Sequence, residues 1–429
     1  MKLNKWTVAL AAAGLVSFVS AAQADEKPSS VATALSATTL SGYVDTSAQW
    51  NFGTGNANVP PYRFGGASKA DGFNLDVVQI RIEKPLDESE WAAGYRVDLW
   101  AGPDANSLGT QSIFGNGSAA STSDFAIRQA YVALRTPLGN GIDWKMGVFD
   151  SIIGYESVES PANPNYTRSY GHSIEPTTHT GLLASYRFCS AFTASVGVAD
   201  TMGPAINSRA QEGSTGVLTG PLSPLWGLVY NNFGAVPSDV AGGNAYPESY
   251  KTYMGSITMT APDSMGFLAG STVYAGAVNG FNNSVLGSGA GMPQLSLYAG
   301  ATIATPVTGL RLGVAFDELD IHTQFEGIAT DGSVWTLATY ASFQATEKLS
   351  FHARAEYVDA RADEPITTHA NILALTGTMQ YDLWKNVLSR VEFRWDHSIS
   401  GNDLFGGQTA GEPDQHNAFL LAANVIYKF

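Results

Sequence analysis

Cysteine is almost missing: Cys189 stands alone in 429 residues. That excludes an internal disulfide framework, a Cys-x-x-Cys site and covalent c-type haem, and its distance from the start excludes a lipidated N-terminal cysteine. Charge is scarce at 14% of residues, and the basic sign is the scarcer, with 23 Lys and Arg against 38 Asp and Glu. The acidic balance argues against nucleic acid as a partner. Long apolar runs are missing after Ala24, so no helical membrane span is expected in the mature chain. Catalytic and cofactor signatures are missing too: no His-Glu-x-x-His, Gly-x-Ser-x-Gly, Gly-x-x-x-x-Gly-Lys or Gly-x-Gly-x-x-Gly occurs. Neither an enzyme nor a cofactor is expected. The seven histidines are scattered, mostly in segments that read as loops; His172 and His179 are the pair nearest to a metal site, but solvated loop histidines are the better reading.

What is present points elsewhere. Forty-five Gly, 18 Tyr, 20 Phe and 9 Trp make a turn-rich, aromatic-rich chain suited to many strands. The start, MKLNKWTVALAAAGLVSFVSAAQA, carries Lys2 and Lys5, an apolar run to Val19 and the small-residue pattern Ala22-Gln23-Ala24. It reads as a secretory signal peptide, residues 1–24, followed by a polar periplasmic linker, 25–38, and a single β domain, 39–429. Without Lys2 and Lys5 the mature chain has 21 basic residues against the 38 acidic ones, a formal charge of −17.

From Leu40 onward the period is two. Trp91, Ala93, Tyr95, Val97 and Leu99 share one face, opposite Ala92, Gly94, Arg96 and Asp98. The same alternation sets Phe351, Ala353, Ala355 and Tyr357 against His352, Arg354 and Glu356, and Val391, Phe393 and Trp395 against Arg390, Glu392, Arg394 and Asp396. Three charges in a row on one face need water or each other. In FNLDVVQIRIE the polar positions fall out of phase, so a bulge near Val77 and Val78 is predicted; the adjacent Arg128 and Gln129 leave their faces unassigned.

Such segments number about sixteen: 40–52, 73–84, 90–101, 124–135, 142–149, 177–188, 191–200, 249–260, 266–278, 294–304, 309–320, 334–345, 348–358, 368–381, 386–396 and 417–429. Short links (PLDES, TPLGNG, the pair Cys189-Ser190, DLWK) alternate with long ones at 53–72, 102–123, 150–176, 201–248, 279–293, 321–333, 359–367 and 397–416. Alternating short and long links, an even strand number and no helical span predict an all-β fold: a closed antiparallel transmembrane β-barrel of about sixteen strands, with short periplasmic turns and long extracellular loops. Phe419, Leu421, Ala423, Val425, Tyr427 and Phe429 then form a lipid-facing row on the closing strand. Tyr427 and Phe429 are the candidate signal for the barrel-assembly machinery.

The first half, SGYVDTSAQWNF, QIRIEKPL, GYRVDLWAG, IRQAYVALRTP and above all GVFDSIIGYESVESPANPNYTRSYGHSIEPTTHTGLLASY, resembles the OmpL-like putative beta-barrel porin family of Gram-negative bacteria, over about residues 40–190. Its most specific element is Asn163, Tyr166, Arg168 and Ser169, with Pro176 and His179-Thr180-Gly181. The resemblance implies a diffusion channel in the outer membrane.

On this reading the inward charges Arg96, Asp98, Asp143, Lys145, His352, Arg354, Glu356, Arg390, Glu392, Arg394 and Asp396 line the pore, or brace the wall as ion pairs, and the two roles can coexist. Residues 150–176, with Glu156, Glu159, Tyr166 and Arg168, are the candidate constriction loop, against an ordinary outer loop. The expected function is an outer-membrane porin passing small hydrophilic solutes or ions. The alternative is a barrel occluded by its loops or by residues 25–38, serving as adhesin, envelope anchor or sleeve for a periplasmic partner. Expected partners are outer-membrane lipid and lipopolysaccharide, the assembly machinery, the solutes themselves and, as in sixteen-stranded porins generally, two further copies in a homotrimer.

Overall fold

The computed structural model describes residues 37–53, 55–110, 124–207, 250–282, 292–325, 328–362 and 368–429. The segments read as signal peptide and linker fall, up to residue 36, outside the described residues, as does most of 201–248. Sixteen strands make up the described sheet: β1 Thr39–Phe52, β2 Gly72–Lys84, β3 Ala92–Ala101, β4 Phe125–Thr136, β5 Ile142–Asp150, β6 Thr178–Cys189, β7 Phe192–Ala199, β8 Thr252–Thr260, β9 Thr272–Asn282, β10 Met292–Ala304, β11 Leu310–Phe325, β12 Ile328–Gln344, β13 Leu349–Ala362, β14 Thr368–Trp384, β15 Val387–Ser398 and β16 Asn417–Lys428. Each pairs antiparallel with its sequence neighbours, and β1 pairs with β16 to close the barrel.

Alternation sets the two faces. On β16 Leu420, Ala422, Asn424 and Ile426 are buried inside, while Phe419, Val425 and Tyr427 stand outside. Outward aromatics gather at both ends. Phe316, Trp335 and Tyr357 follow one another at 6.2 and 5.2 Å near the long-loop end; Trp91, Trp384, Tyr427 and Phe429 are exposed at the short-turn end. The apolar band between them is what a bilayer covers. Phe429 is held by two backbone bonds to Gly42, at 2.9 and 3.0 Å. Its ring lies so close over that residue that a Cβ there would be 2.7 Å from it.

The bulge expected near Val77 and Val78 occurs one residue earlier. Asp45 pairs with Val77 and Thr46 with Leu75, so Asp76 is the extra residue and both Asp76 and Val77 turn inward. A second bulge resolves the Arg128-Gln129 ambiguity: Asp98 pairs with Gln129 and Leu99 with Ile127, and Arg128 and Gln129 both face the lumen.

Two loops are shorter than the sequence reading placed them. β11 and β12 run on to Phe325 and Ile328, and β13 and β14 to Ala362 and Thr368, where long loops were expected at 321–333 and 359–367. Their polar composition suggested loop, but it is the outward face of a sheet carried past the apolar band. His322 meets Asp331 at 2.8 Å, and Asp359 meets Arg361 at 2.6 Å and Asn371 at 2.8 Å. Pairing across the strands, and along β13 for Asp359 and Arg361, satisfies these groups as solvent would in a loop.

Candidate functional site

The chain between β5 and β6, residues 151–177, folds into the barrel. Asn163 fixes its first turn: its carbonyl oxygen accepts from the Ser157 amide (2.7 Å) and its amide donates to the carbonyls of Ser157 (2.6 Å) and Glu159 (2.9 Å). Ser169 then caps a short helix, α1 (Tyr170–Ile174), accepting from the His172 amide at 3.0 Å.

The loop is fastened to three walls. On β13–β15, Glu392 accepts from the amides of Tyr166 (2.6 Å) and Thr167 (2.9 Å) and the Thr167 hydroxyl (2.6 Å), and Glu356 accepts from the Tyr170 amide at 2.7 Å. Arg354 donates to Glu156 and to the Thr167 carbonyl, both at 2.8 Å; Arg390 donates to the carbonyls of Asn163 (2.5 Å) and Ser160 (3.1 Å). Arg394 donates to the Arg168 carbonyl at 2.8 Å, pairs with Asp396 at 2.9 Å and lies against Tyr62 and Tyr170 at 4.2 and 5.0 Å. The Tyr170 hydroxyl donates to Asp396 at 2.8 Å.

On β2–β4, four side chains converge on the buried Asp98: Arg81 (2.9 Å), Arg96 (2.8 Å), Arg128 (2.7 Å) and Gln129 (3.1 Å). The three arginines also reach one carboxylate oxygen of the loop residue Glu159, Arg96 at 3.0 Å, Arg128 at 3.3 Å and Arg81 in closer contact. Burial pushes the Glu159 carboxyl up, but the guanidiniums of Arg128, Arg81 and Arg96 outweigh it and hold it below the usual carboxylate range. Arg128 also pairs with Asp150 at 2.6 Å.

The third wall, β8–β12, is apolar at this level. Tyr155 stacks on Tyr340 at 4.1 Å, and Ile153 packs with Phe149, Leu183, Met254 and Val278. Glycines make the room: a Cβ at Gly276 would be 2.7 Å from Ile153, and one at Gly313 would collide with the Tyr155 hydroxyl. Towards the long-loop end, Tyr170 and Ile174 of α1 join Leu319, Val334, Val358 and Ile372 in another apolar cluster.

The residues singled out from sequence therefore divide. Arg96, Asp98, Arg354, Glu356, Arg390, Glu392, Arg394 and Asp396 all face inward but are buried behind the loop. Within this set pairing is often along one strand: Arg96–Asp98, Arg354–Glu356 and Arg394–Asp396 meet at 2.8, 2.7 and 2.9 Å. Asp143, Lys145 and His352 lie nearer the short-turn end and keep partial exposure. Asp143 pairs with Arg135 at 2.6 Å, Lys145 lies over the Tyr131 ring at 4.9 Å, and His352 bridges Ser350 and Ser342, each at 2.9 Å. In the loop, Glu156 and Arg168 are buried and Tyr166 is half-buried; the Tyr166 hydroxyl donates to Ser47 at 2.9 Å, and Arg168 donates to the carbonyls of Val158 and Tyr166 at 3.0 and 3.1 Å.

The histidine reading is corrected. His172 and His179 are buried, not solvated, and desolvation pushes His172 well below the ordinary histidine value; His179, His322, His352, His369 and His397 lie in strands. A loop position suggested solvent, but the loop that carries His172 folds into the barrel, and His179 sits at the start of β6. Arg81, Arg128, Asn163 and Glu175 complete the site without having been singled out as pore residues. For Arg128 the out-of-phase Arg-Gln pair was the available signal.

Residues 37–429 match the family described as "Putative beta-barrel porin-2, OmpL-like". No curated protein matches the chain. Among solved structures, OmpT of Vibrio cholerae in its in-vitro folded form covers 91% of this chain and 97% of its own, with TM-score 0.52 and 9% identity. The anion-selective porin from Comamonas acidovorans covers 91% and 99% (TM-score 0.53, 13% identity), and the outer membrane channel DcaP of Acinetobacter baumannii 91% and 97% (TM-score 0.53, 11% identity). At these identities the likeness is one of fold.

Proposed function

The chain belongs to the OmpL-like beta-barrel porin family, a family of the Gram-negative outer membrane, and from that premise we propose that it is a constricted diffusion channel, not an enzyme. Small hydrophilic solutes or ions enter a water-filled lumen and are screened where residues 151–177 cross it. The supporting observation is the loop itself, held inside a closed barrel by Glu392, Glu356 and Arg354 on one wall and by Arg81, Arg96 and Arg128 on another. Arg135, Asp143, Lys145 and His352 form the wet approach at the short-turn end, taken as periplasmic. Residues 1–24 are the removed signal peptide and 25–38 a linker. Tyr427 and Phe429 present the closing strand to the assembly machinery, lipid and lipopolysaccharide cover the apolar band, and a homotrimer is proposed by analogy with the trimer form of Vibrio cholerae OmpT.

One observation favours the second reading, an occluded barrel acting as adhesin, anchor or sleeve: the side chains of Arg354 and Arg394 are fully buried, with no surface left for a passing solute. Single-channel recording in planar bilayers separates the two. A porin gives small steps in the native protein and larger ones in Glu392→Ala, which releases the loop. Silence from both, in protein whose barrel is folded by heat-modifiable migration, transfers the assignment to the occluded barrel.

A further inference from the structure

We propose that Glu175 and Asp317, with the hydroxyls of Thr336 and Ser296, form a binding site for a hard divalent cation, calcium by preference, between α1 and the β10–β12 wall. Glu175 follows α1 directly. Asp317 faces the lumen from β11, in register with Thr336 on β12 and Tyr298 on β10; Ser296 is the next inward position on β10, opposite Leu319. All four residues are at least nine-tenths buried.

The other carboxylates that hold the loop have cationic or amide partners. Glu156 takes Arg354, Glu356 takes Arg354 and the Tyr170 amide, and Glu159 takes three arginines. The Asp317 carboxylate meets the Glu175 carboxylate and the Thr336 hydroxyl; one of its oxygens, and the Ser296 hydroxyl two positions along β10 from Tyr298, make no hydrogen bond to the protein. Arg63 supplies one positive charge nearby, but its guanidinium donates to the carbonyls of Ser173 and Glu175 at 3.4 and 3.2 Å. His172 lies 3.7 Å from the Glu175 carboxylate, beyond hydrogen-bond distance. Two buried carboxylates facing one another with so little compensation bind either a proton or a cation.

The donor set selects the cation. It consists of oxygens alone, two from charged groups, which suits a hard ion, and the irregular arrangement suits calcium, which tolerates flexible geometry better than magnesium. The backbone is laid directly on the pair: a Cβ at Gly171 would collide with Asp317, and one at Gly154, at φ +120°, would collide with Glu175. A cation here joins the end of the loop to the barrel wall where no arginine does so.

The test uses the full-length barrel in detergent, stripped with EDTA, and reads binding without any current, so it stands apart from the channel reading. Terbium emission sensitised by protein tyrosines, Tyr298 being opposite Asp317, should be displaced by calcium and lost in Glu175→Gln and in Asp317→Asn, while Glu159→Gln retains it. Calcium should raise the unfolding temperature of the native protein by about 3 °C or more, and that of neither site variant. Emission and calcium response unchanged in both variants would overturn the assignment. So would an unfolding temperature indifferent to calcium but rising from pH 7 to pH 5 in the native protein only, since a shared proton would then occupy the pair.

Discussion

Glu159→Gln tests the constriction most directly. In the native protein three guanidiniums, Arg81, Arg96 and Arg128, face three carboxylates, Asp98, Asp150 and Glu159, so the cluster is neutral. The glutamine keeps the acceptor and the shape but removes one negative charge, leaving a net charge of +1. A monovalent ion passing about 6 Å away feels roughly 0.7 kcal/mol if the medium behaves as water and about 2.8 kcal/mol at an effective dielectric of about 20. The sign is opposite for anion and cation, so the difference doubles, and screening over about 8–10 Å favours the lower end. The anion-to-cation permeability ratio should therefore rise about tenfold. The assay is the reversal potential of single channels under a salt gradient. An unchanged reversal potential from a folded, conducting variant would refute the idea that permeating ions pass this cluster. Because Asp98 still holds all three arginines, the stability loss should stay below the roughly 3–5 kcal/mol of a broken buried pair.

Asn163→Ala removes three hydrogen bonds from the loop's first turn and should cost about 1–3 kcal/mol, read by heat-modifiable migration, with larger and noisier conductance as Glu159 loses its placement. Gly313→Val should displace Tyr155 from its stack on Tyr340; unchanged conductance and stability would show that the contact is dispensable. Lys69, buried between Asp76 and Asp104 at 2.6 and 2.5 Å, gives a pH prediction. Burial pushes the Asp104 carboxyl up to about 7 against the Lys69 charge, with Asp76 adding to the rise. A group raised in the fold stabilises its protonated form, so this contribution is full near pH 4 and lost as pH climbs to about 7. Thermal unfolding should show that loss in the native protein and not in Asp104→Asn. Deleting Phe429 removes two backbone bonds to Gly42 and the ring over it, and should slow the appearance of folded barrel in a timed refolding assay.

Much of the barrel is written locally, because a strand with one apolar and one polar face declares its period within a few residues. The alternation of β13, β15 and β16, the slip of phase at Asp76 and the terminal row ending on Tyr427 and Phe429 are of this kind. So is the Asn163–Ser169 element, whose residues cap and staple their own turn. The polar hairpins at Asp320–Asp331 and Asp359–Asn371 misled for the same reason: composition reports exposure to water, and an outward sheet face beyond the apolar band is as wet as a loop.

What the tertiary structure alone decided is who neutralises whom. Arg354 meets Glu156 across 198 positions of sequence, Glu392 holds Thr167 across 225, and the three arginines converge on Glu159 from three separate strands. Period and composition could place each of these charges on the inner face, but a charge's partner is set by barrel closure and by the path of the loop across it. The same inward arginine lines open water or disappears behind a glutamate according to contacts that no local pattern encodes.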